Sequence, residues 1–462
     1  MPRLIAALLA GLLIWLVAPP ILACSNVFVT ARDELFPQQI FAAVARSMDF
    51  EEITGNSFGY GLKGVQNVSN INMYPPVNPA RWANVHAFAG QTAVYTSIMT
   101  DGVNNAGLYV GLLELPGVTK FPDYNPEDPR PELGVMNALI YALGTSASVA
   151  DALDNLKENQ LVINAGSILD VVFAGFPFHL SLRDKYGDSA VIEWVDGSTH
   201  YYYHQAFTDK VVLTIDRYPD FEISEFTNSQ AAILTNAPPY DWHLTEAAKS
   251  PWMDMITGNT DQTWQADGKD LYMNGSRLVG LPGDFTSPSR FIRGSVLSRL
   301  MPAVKSQNQA MQAAFSILQS LQAPAGSSPD PTIWVSWVDL ARGIYHFRPV
   351  LYPVTIPLGD DDDGVQESLQ LIETPAQKEA PWQSVHVKSL KRVPPGGVTV
   401  RSRLGRQVPE VFKGIVETLI EQSTPGPSIV DVHFERNLKL RKGDDGPELG
   451  SRQPSAPSDC CQ

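Results

Sequence analysis

Between Cys24 and Leu358 the hydrophobic pattern changes period repeatedly, and the order of those changes restricts the fold more than any single residue does. "SNVFVTA" and "QIFAAVARSMDF" alternate as consecutive strands around a polar turn, and "SIMTDGVNNAGLYVGLLEL" reads as a hairpin turning between Asp101 and Gly107. "GVMNALIYALGTSASVADALDNLKEN" takes helical spacing, with Met136, Leu139, Ile140 and Leu143 on one face and a second helix from Val149. Strands return in "VVFAGFPFHLSLRDKYGDSAVIEWVDG", helices in "SRFIRGSVLSRLM" and "QAMQAAFSILQSLQ", and strands again in "TIWVSWVDLARGIYHFRPVLYPVTI". Blocks of strands separated by blocks of helices predict a layered α+β domain over residues 24–358. A doubly wound sheet would alternate its elements one by one.

Ahead of that domain, Arg3 precedes an apolar run from Leu4 to Ala18, followed by Pro19, Pro20 and the small Ala23. This is the order of a secretory signal peptide over residues 1–23, and the run falls short of the roughly 20 apolar residues of a membrane span. Cleavage after Ala23 would send the protein to the periplasm or outside the cell and make Cys24 its N-terminal residue. A net charge of −15 excludes the basic surface that nucleic acid requires. Beyond Leu358 the chain becomes acidic in "GDDDDGVQESLQ", then basic and Pro/Gly-rich in "KSLKRVPPGGVTVRSRLGRQ". Residues 359–462 are therefore expected to be a largely disordered tail, with one short helix near "EVFKGIVETLIEQ" and Cys460 and Cys461 at its end.

Cysteine usage points to chemistry at the start of the domain. The chain has 3 cysteines and none lies between Cys24 and Cys460, so the domain has no disulfide framework and Cys24 no structural partner within it. There is no Gly-x-Ser-x-Gly elbow, His-Glu-x-x-His, Cys-x-x-Cys or phosphate loop, and the 8 histidines lack ligand spacing; no metal or cofactor is expected. A mature N-terminal cysteine joins a thiol to an α-amine that titrates near pH 8, so nucleophile and base are one residue. The chemistry further needs a carboxylate for the amine, cations that favour thiolate, and amide or backbone donors for the oxyanion. "ARSMDF" supplies Arg46 and Asp49, "ILTNAPPYDW" supplies Asn236 before a proline turn, and "LPGDFTSPSRFIR" supplies Arg290 at a helix start. On the residues alone, Arg46 and Asp49 lie on opposite strand faces and could be a surface pair, and Asn236 could cap a turn. Arg290 opposes the helix dipole and so calls for a local partner or a function.

In chain order "RSMD", "TNAP" and "GDFTSPSRF" resemble the choloylglycine hydrolase and penicillin V acylase family of N-terminal nucleophile hydrolases. "DGVNNAGLYVGLLELPG" and "TIWVSWVDLARGIYHF" resemble its hairpin and closing strands, so the likeness covers nearly all of residues 24–358. The resemblance implies a four-layer αββα sandwich. It also implies that Cys24 is nucleophile and base, that Asp49 binds the α-amine, that Arg46 and Arg290 favour the ionised thiol, and that Asn236 donates to the oxyanion. A second oxyanion donor would be a backbone N–H in "GLLELPG", where this chain places Glu114 and the family often has Asn or Tyr; Glu114 is thus expected beside the substrate. Hydrolysis of a small linear amide follows from the resemblance, of the penicillin V, conjugated bile acid or N-acyl homoserine lactone type, as does a homotetramer. The alternative reading is a non-catalytic binding lipoprotein acylated at Cys24, although Leu22 departs from the usual acylation signal; a third keeps the fold without the activity.

Overall fold

Two neighbouring strands carry the N-terminal alternation, β1 (Ala23–Arg32) and β2 (Ile40–Asp49), paired antiparallel from Ala23 opposite Asp49 to Arg32 opposite Ile40. Their turn closes because Asp33 Oδ1 accepts from the backbone N–H groups of Leu35 and Phe36. The structure is a computed structural model that describes residues 23–49, 57–69, 78–92, 99–162, 177–208, 210–216, 221–224, 231–250, 263–266, 269–272, 278, 280–328, 330–350 and 383–386. The leader, the "EVFKGIVETLIEQ" helix, Cys460 and Cys461 lie outside the described residues.

Along the chain follow β3 (Ser57–Gly61), β4 (Phe88–Thr92), β5 (Asp101–Asn104), β6 (Leu108–Glu114), α1 (Ala138–Thr145), α2 (Val149–Lys157), β7 (Phe178–Asp184), β8 (Ser189–Val195), β9 (Ser198–His204), β10 (Lys210–Ile215) and β11 (Phe221–Ser224). Then come β12 (Ile233–Leu234), α3 (Tyr240–Ala248), α4 (Ser287–Leu300), α5 (Gln307–Leu321), β13 (Thr332–Asp339), β14 (Ile344–Pro349) and β15 (Gln383–His386). One antiparallel sheet has the order β12-β1-β2-β13-β14-β15 and the other β11-β10-β9-β8-β7-β6-β5-β4-β3. Three smaller two-stranded pairings lie outside them.

Strand alternation sorts the core into layers. Val27, Val29, Ala43 and Ala45 pack with Ala310, Met311, Ala314 and Leu318 of α5. The opposite faces send Phe28, Ala42 and Val44 between the sheets to meet Val103, Tyr109 and Tyr345. On the far side Leu108, Val110, Leu180 and Ile192 pack with Leu139 and Leu143 of α1 and Leu153 and Leu156 of α2. The result is helix, sheet, sheet, helix, with both faces of each central strand covered. Burying each such aliphatic or aromatic side chain contributes about 1.5–3 kcal/mol. Where β13 ends opposite Ala43, Gln307 takes over the pairing of β2: its Oε1 accepts from Ala42 N (3.1 Å) and its Nε2 donates to Ala42 O (2.8 Å).

Three features differ from the sequence reading. The hairpin turn is tighter than residues 101–107, because β5 extends to Asn104, whose Oδ1 accepts from Ala106 N and Leu108 N, with Gly107 at φ 92°. The stretch after Asn236 is more than a proline turn: Pro239 caps the start of α3, which buries Tyr240, His243, Leu244 and Ala247 at helical spacing. Within the expected tail, Gln383–His386 forms an edge strand on β14, with His386 opposite Ile344 and Gln383 opposite Phe347; "QSVH" carries no charge that would oppose strand pairing at neutral pH.

Candidate active site

Cys24, the second residue of β1, lies at the end of the sheet where four other chain segments converge. Its side chain shares the between-sheets face with Asn26, Arg46 and Met48, while Ser25, Ser47 and Asp49 turn toward the helices. Asn26 accepts from Ser181 Oγ (3.0 Å) and donates to Tyr109 OH (3.2 Å), which locks β1 against the second sheet. Cys24, Arg46, Asp49, Glu114, Asn236 and Arg290 are all at most 3% exposed.

Each polar group of Cys24 has a different partner. With Ala23 still attached, its backbone N–H donates to Asn236 Oδ1 at 2.6 Å. Its carbonyl accepts from Arg290 Nη1 at 2.6 Å, and its Sγ lies 3.5 Å from Met48 Sδ. Burial raises the thiol above its ordinary value; Arg46 beside it and the Asp49 backbone N–H pull it down without prevailing. Arg46 favours the ionised thiol, yet in the uncleaved chain desolvation outweighs it, because the sulfur is buried.

Arg290, in the first turn of α4, resolves its conflict with the helix dipole by pointing away from solvent. Nε donates to Phe285 O (2.9 Å), Nη1 also to Ser25 Oγ (2.7 Å), and Nη2 to Asn236 Oδ1 (2.8 Å). Two N–H donors on Oδ1 fix the orientation of the Asn236 amide, so Nδ2 faces Glu114, whose carbonyl accepts from it at 2.8 Å. An amide nitrogen has two hydrogens, and one remains for a further acceptor. Glu114 ends β6, two residues beyond Leu112; by alternation its main-chain N–H points with that of Leu112, away from β7.

Arg46 and Asp49 are both fully buried, which corrects the surface-pair reading: layers cover both faces of β2, so alternation does not mean exposure. Arg46 donates to the carbonyls of Thr100 and Leu112 and lies 3.8 Å from Asp101 Oδ2. Asp49 Oδ1 accepts from Thr332 Oγ1 at 2.6 Å; Oδ2 lies 3.6 Å from Arg290 Nη1 and accepts no hydrogen bond. Burial pushes this carboxyl up to about 6 against the pull of Arg290. Asp49 was expected on the Cys24 nitrogen, yet Asn236 occupies that position in the uncleaved chain. Asp101, Thr332 and His243, which hold these residues, were missed in the sequence; Pro239 followed by buried positions at helical spacing could have revealed α3 and with it His243.

Residues 36–223 and 198–351 match the profile of the linear amide C–N hydrolases, choloylglycine hydrolase family. The chain is 24% identical over 331 residues to Penicillin V acylase of Pectobacterium atrosepticum, covering 68% of this chain and 75% of that protein. It is 27% identical over 252 residues to Conjugated bile acid hydrolase of Lactobacillus gasseri, covering 53% of this chain and 70% of that protein. Penicillin V acylase from Agrobacterium tumefaciens has a similar structure, with a TM-score of 0.50 at 24% identity over 71% of this chain and 84% of that one. The fold is thus the α+β sandwich of the N-terminal nucleophile hydrolases.

Proposed function

This chain belongs to the choloylglycine hydrolase family and is a hydrolase of carbon–nitrogen bonds in linear amides; we propose that it is exported and acts through Cys24 as an N-terminal nucleophile. The observation that carries this reading is the separate capture of the Cys24 nitrogen and carbonyl by Asn236 and Arg290 in a buried site. Such an arrangement holds a residue whose main-chain atoms matter to the reaction.

Removal of residues 1–23 converts the Cys24 amide nitrogen into an α-amine, close to Asn236 Oδ1. An amine titrating near pH 8 takes the thiol proton as the sulfur attacks the substrate carbonyl. The oxyanion receives the second hydrogen of Asn236 Nδ2 and the Glu114 main-chain N–H. The α-ammonium then protonates the leaving nitrogen as the C–N bond breaks, which leaves the acyl group on Sγ. Water, deprotonated by the α-amine, attacks the acyl carbon and releases the acid and the thiol. Asp49, whose Oδ2 accepts no hydrogen bond, balances the ammonium charge. Glu114 borders the acyl site and selects among penicillin V, conjugated bile acids and N-acyl homoserine lactones or related amides.

The test is amine release from penicillin V, glycocholate and a long-chain acyl homoserine lactone by the purified exported protein and by Cys24→Ala, with intact mass of both. Expected is a terminus at free Cys24 and release that drops at least about a thousandfold in the variant. A diacylglycerol adduct on Cys24, or release that survives Cys24→Ala, would overturn the reading.

A further inference from the structure

His243 has no place in that reaction, yet it sits directly behind two of its residues. Its Nε2 lies 2.8 Å from the Asn236 backbone oxygen and 3.2 Å from Ser287 Oγ. A carbonyl oxygen only accepts, so Nε2 carries the hydrogen and donates. Ser287 Oγ directs its own hydrogen to Thr235 Oγ1 at 2.9 Å and therefore accepts from the imidazole as well. The ring stacks on Phe291, centroid to centroid 4.7 Å and 17° from parallel. Ser287 opens α4 and Phe291 follows Arg290 on it, so one side chain joins the Asn236 peptide to the helix that delivers Arg290.

The helix that carries His243 is itself anchored. Both carboxylate oxygens of the fully buried Glu193 accept from Tyr240 N at 3.1 Å, and His179 Nδ1 lies 2.9 Å from Oε1. Burial also pushes His243 down to about 4, so the ring is neutral and its Nε2–H stays committed to Asn236 across the working range of an amidohydrolase.

We propose that His243 is a positioning residue for amide hydrolysis: it ties the Asn236 peptide to α4 so that the Asn236 amide and Arg290 reach Cys24 together. This rests on the reading of Asn236 as an oxyanion donor. A donor displaced by a fraction of an ångström loses much of its value to a tetrahedral oxyanion and little of its value to a bound ground-state amide. Displacement of iodide from iodoacetamide by the Cys24 thiolate forms an S–C bond without any oxyanion, so it reports the thiol separately from the donor.

The experiment compares wild type, Cys24→Ala, His243→Phe and His243→Gln in the mature chain, on whichever of the three amides wild type cleaves. Readouts are kcat, KM, the iodoacetamide rate at Cys24 and the melting temperature. Phe keeps the stacking on Phe291 and removes the donor; Gln can present an N–H to the same carbonyl. His243→Phe is expected to lower kcat about 10- to 100-fold with KM and alkylation changed by less than about threefold. His243→Gln is expected to return kcat to within about fivefold of wild type. Wild-type kcat in His243→Phe, alkylation that falls in step with kcat, or a Gln variant no better than Phe would overturn the proposal. Should the Phe variant not fold, His243→Asn replaces it, too short to reach the carbonyl; equal kcat for Asn and Gln would overturn the proposal. Release that persists in Cys24→Ala overturns the underlying reading of Cys24 and Asn236, whereas Cys24-dependent release with an undiminished His243→Phe overturns this inference alone.

Discussion

On the side of β1 and β2 that faces the second sheet, Arg46 is bound by scaffold: two main-chain carbonyls and Asp101, which also accepts from Tyr345 OH (2.6 Å) and Ser336 Oγ (2.7 Å). On the side that faces the helices, Arg290 is bound by Cys24 itself and by Asn236. Burial opposes both charges. For Arg46 the Asp101 carboxylate and the polar groups around it prevail and hold it above the ordinary guanidinium value. For Arg290 burial prevails over Asp49 and holds it below. The difference teaches that two buried arginines beside one sulfur can have separate duties. Arg46 secures the sheets to each other, and Arg290 holds Cys24, the proposed nucleophile.

Exchanging the arginines tests that division. Arg46→Met leaves Asp101 buried beside no cation and removes the guanidinium donors of the Thr100 and Leu112 carbonyls, of which Thr100 O keeps the Leu112 N–H, and should cost about 3–5 kcal/mol in chemical denaturation. Asp49 supplies the next largest effect. With Ala23 in place its folded pKa of about 6 exceeds the ordinary carboxyl value of 3.8, so its contribution is full below the unfolded value and is lost as pH rises through about 6. In a chain that keeps Ala23, stability should fall from pH 4 to pH 7 by up to about 3 kcal/mol from this group. Asp49→Asn should remove that share and leave the parallel one from Asp184, also held at about 6 by burial. An unchanged slope would mean that Asp49 meets solvent. Arg290→Lys should lower kcat/KM about a hundredfold, since one ammonium cannot reach Cys24 O, Ser25 Oγ and Asn236 Oδ1 together, while stability falls less than in Arg46→Met. The reverse ranking would break the comparison.

The layers, the β1–β2 pair and the meeting of Cys24, Arg46, Asp49, Asn236 and Arg290 were legible in the sequence. Alternation reads strand faces directly, and the short segments around those residues resemble one family. Burial was not legible: the same alternation left a surface pair open for Arg46 and Asp49, because no local pattern says that a second layer covers the other face. The sign of the Cys24 shift was hidden for the same reason, since desolvation depends on how deeply the sulfur is enclosed. Asp101 and Thr332 escaped because their partners are brought by strand order; Thr332 meets Asp49 across 283 residues. His243 escaped because α3 is only 9 residues long and follows two prolines.

Asp101→Asn is the mildest way to sharpen the comparison of the two arginines. The three hydroxyls around Asp101, those of Tyr109, Tyr345 and Ser336, can rotate to offer an oxygen to a new amide N–H, so its hydrogen bonds survive; the buried Arg46 loses its counter-ion but keeps two carbonyls, and the fold should lose about 3 kcal/mol. What changes is charge. Asp101 sits 3.8 Å from Arg46 and offsets it, while Arg46 is the strongest of the influences that lower the Cys24 thiol. With that carboxylate neutralised, more of the guanidinium charge should be felt at sulfur, and iodoacetamide should alkylate Cys24 about three- to tenfold faster near neutral pH. An unchanged rate would mean that Arg46 serves the scaffold alone. A slower one would mean that Asp101 is needed to hold the guanidinium near the thiol, and the between-sheets arginine would then serve the reaction as directly as its counterpart on α4.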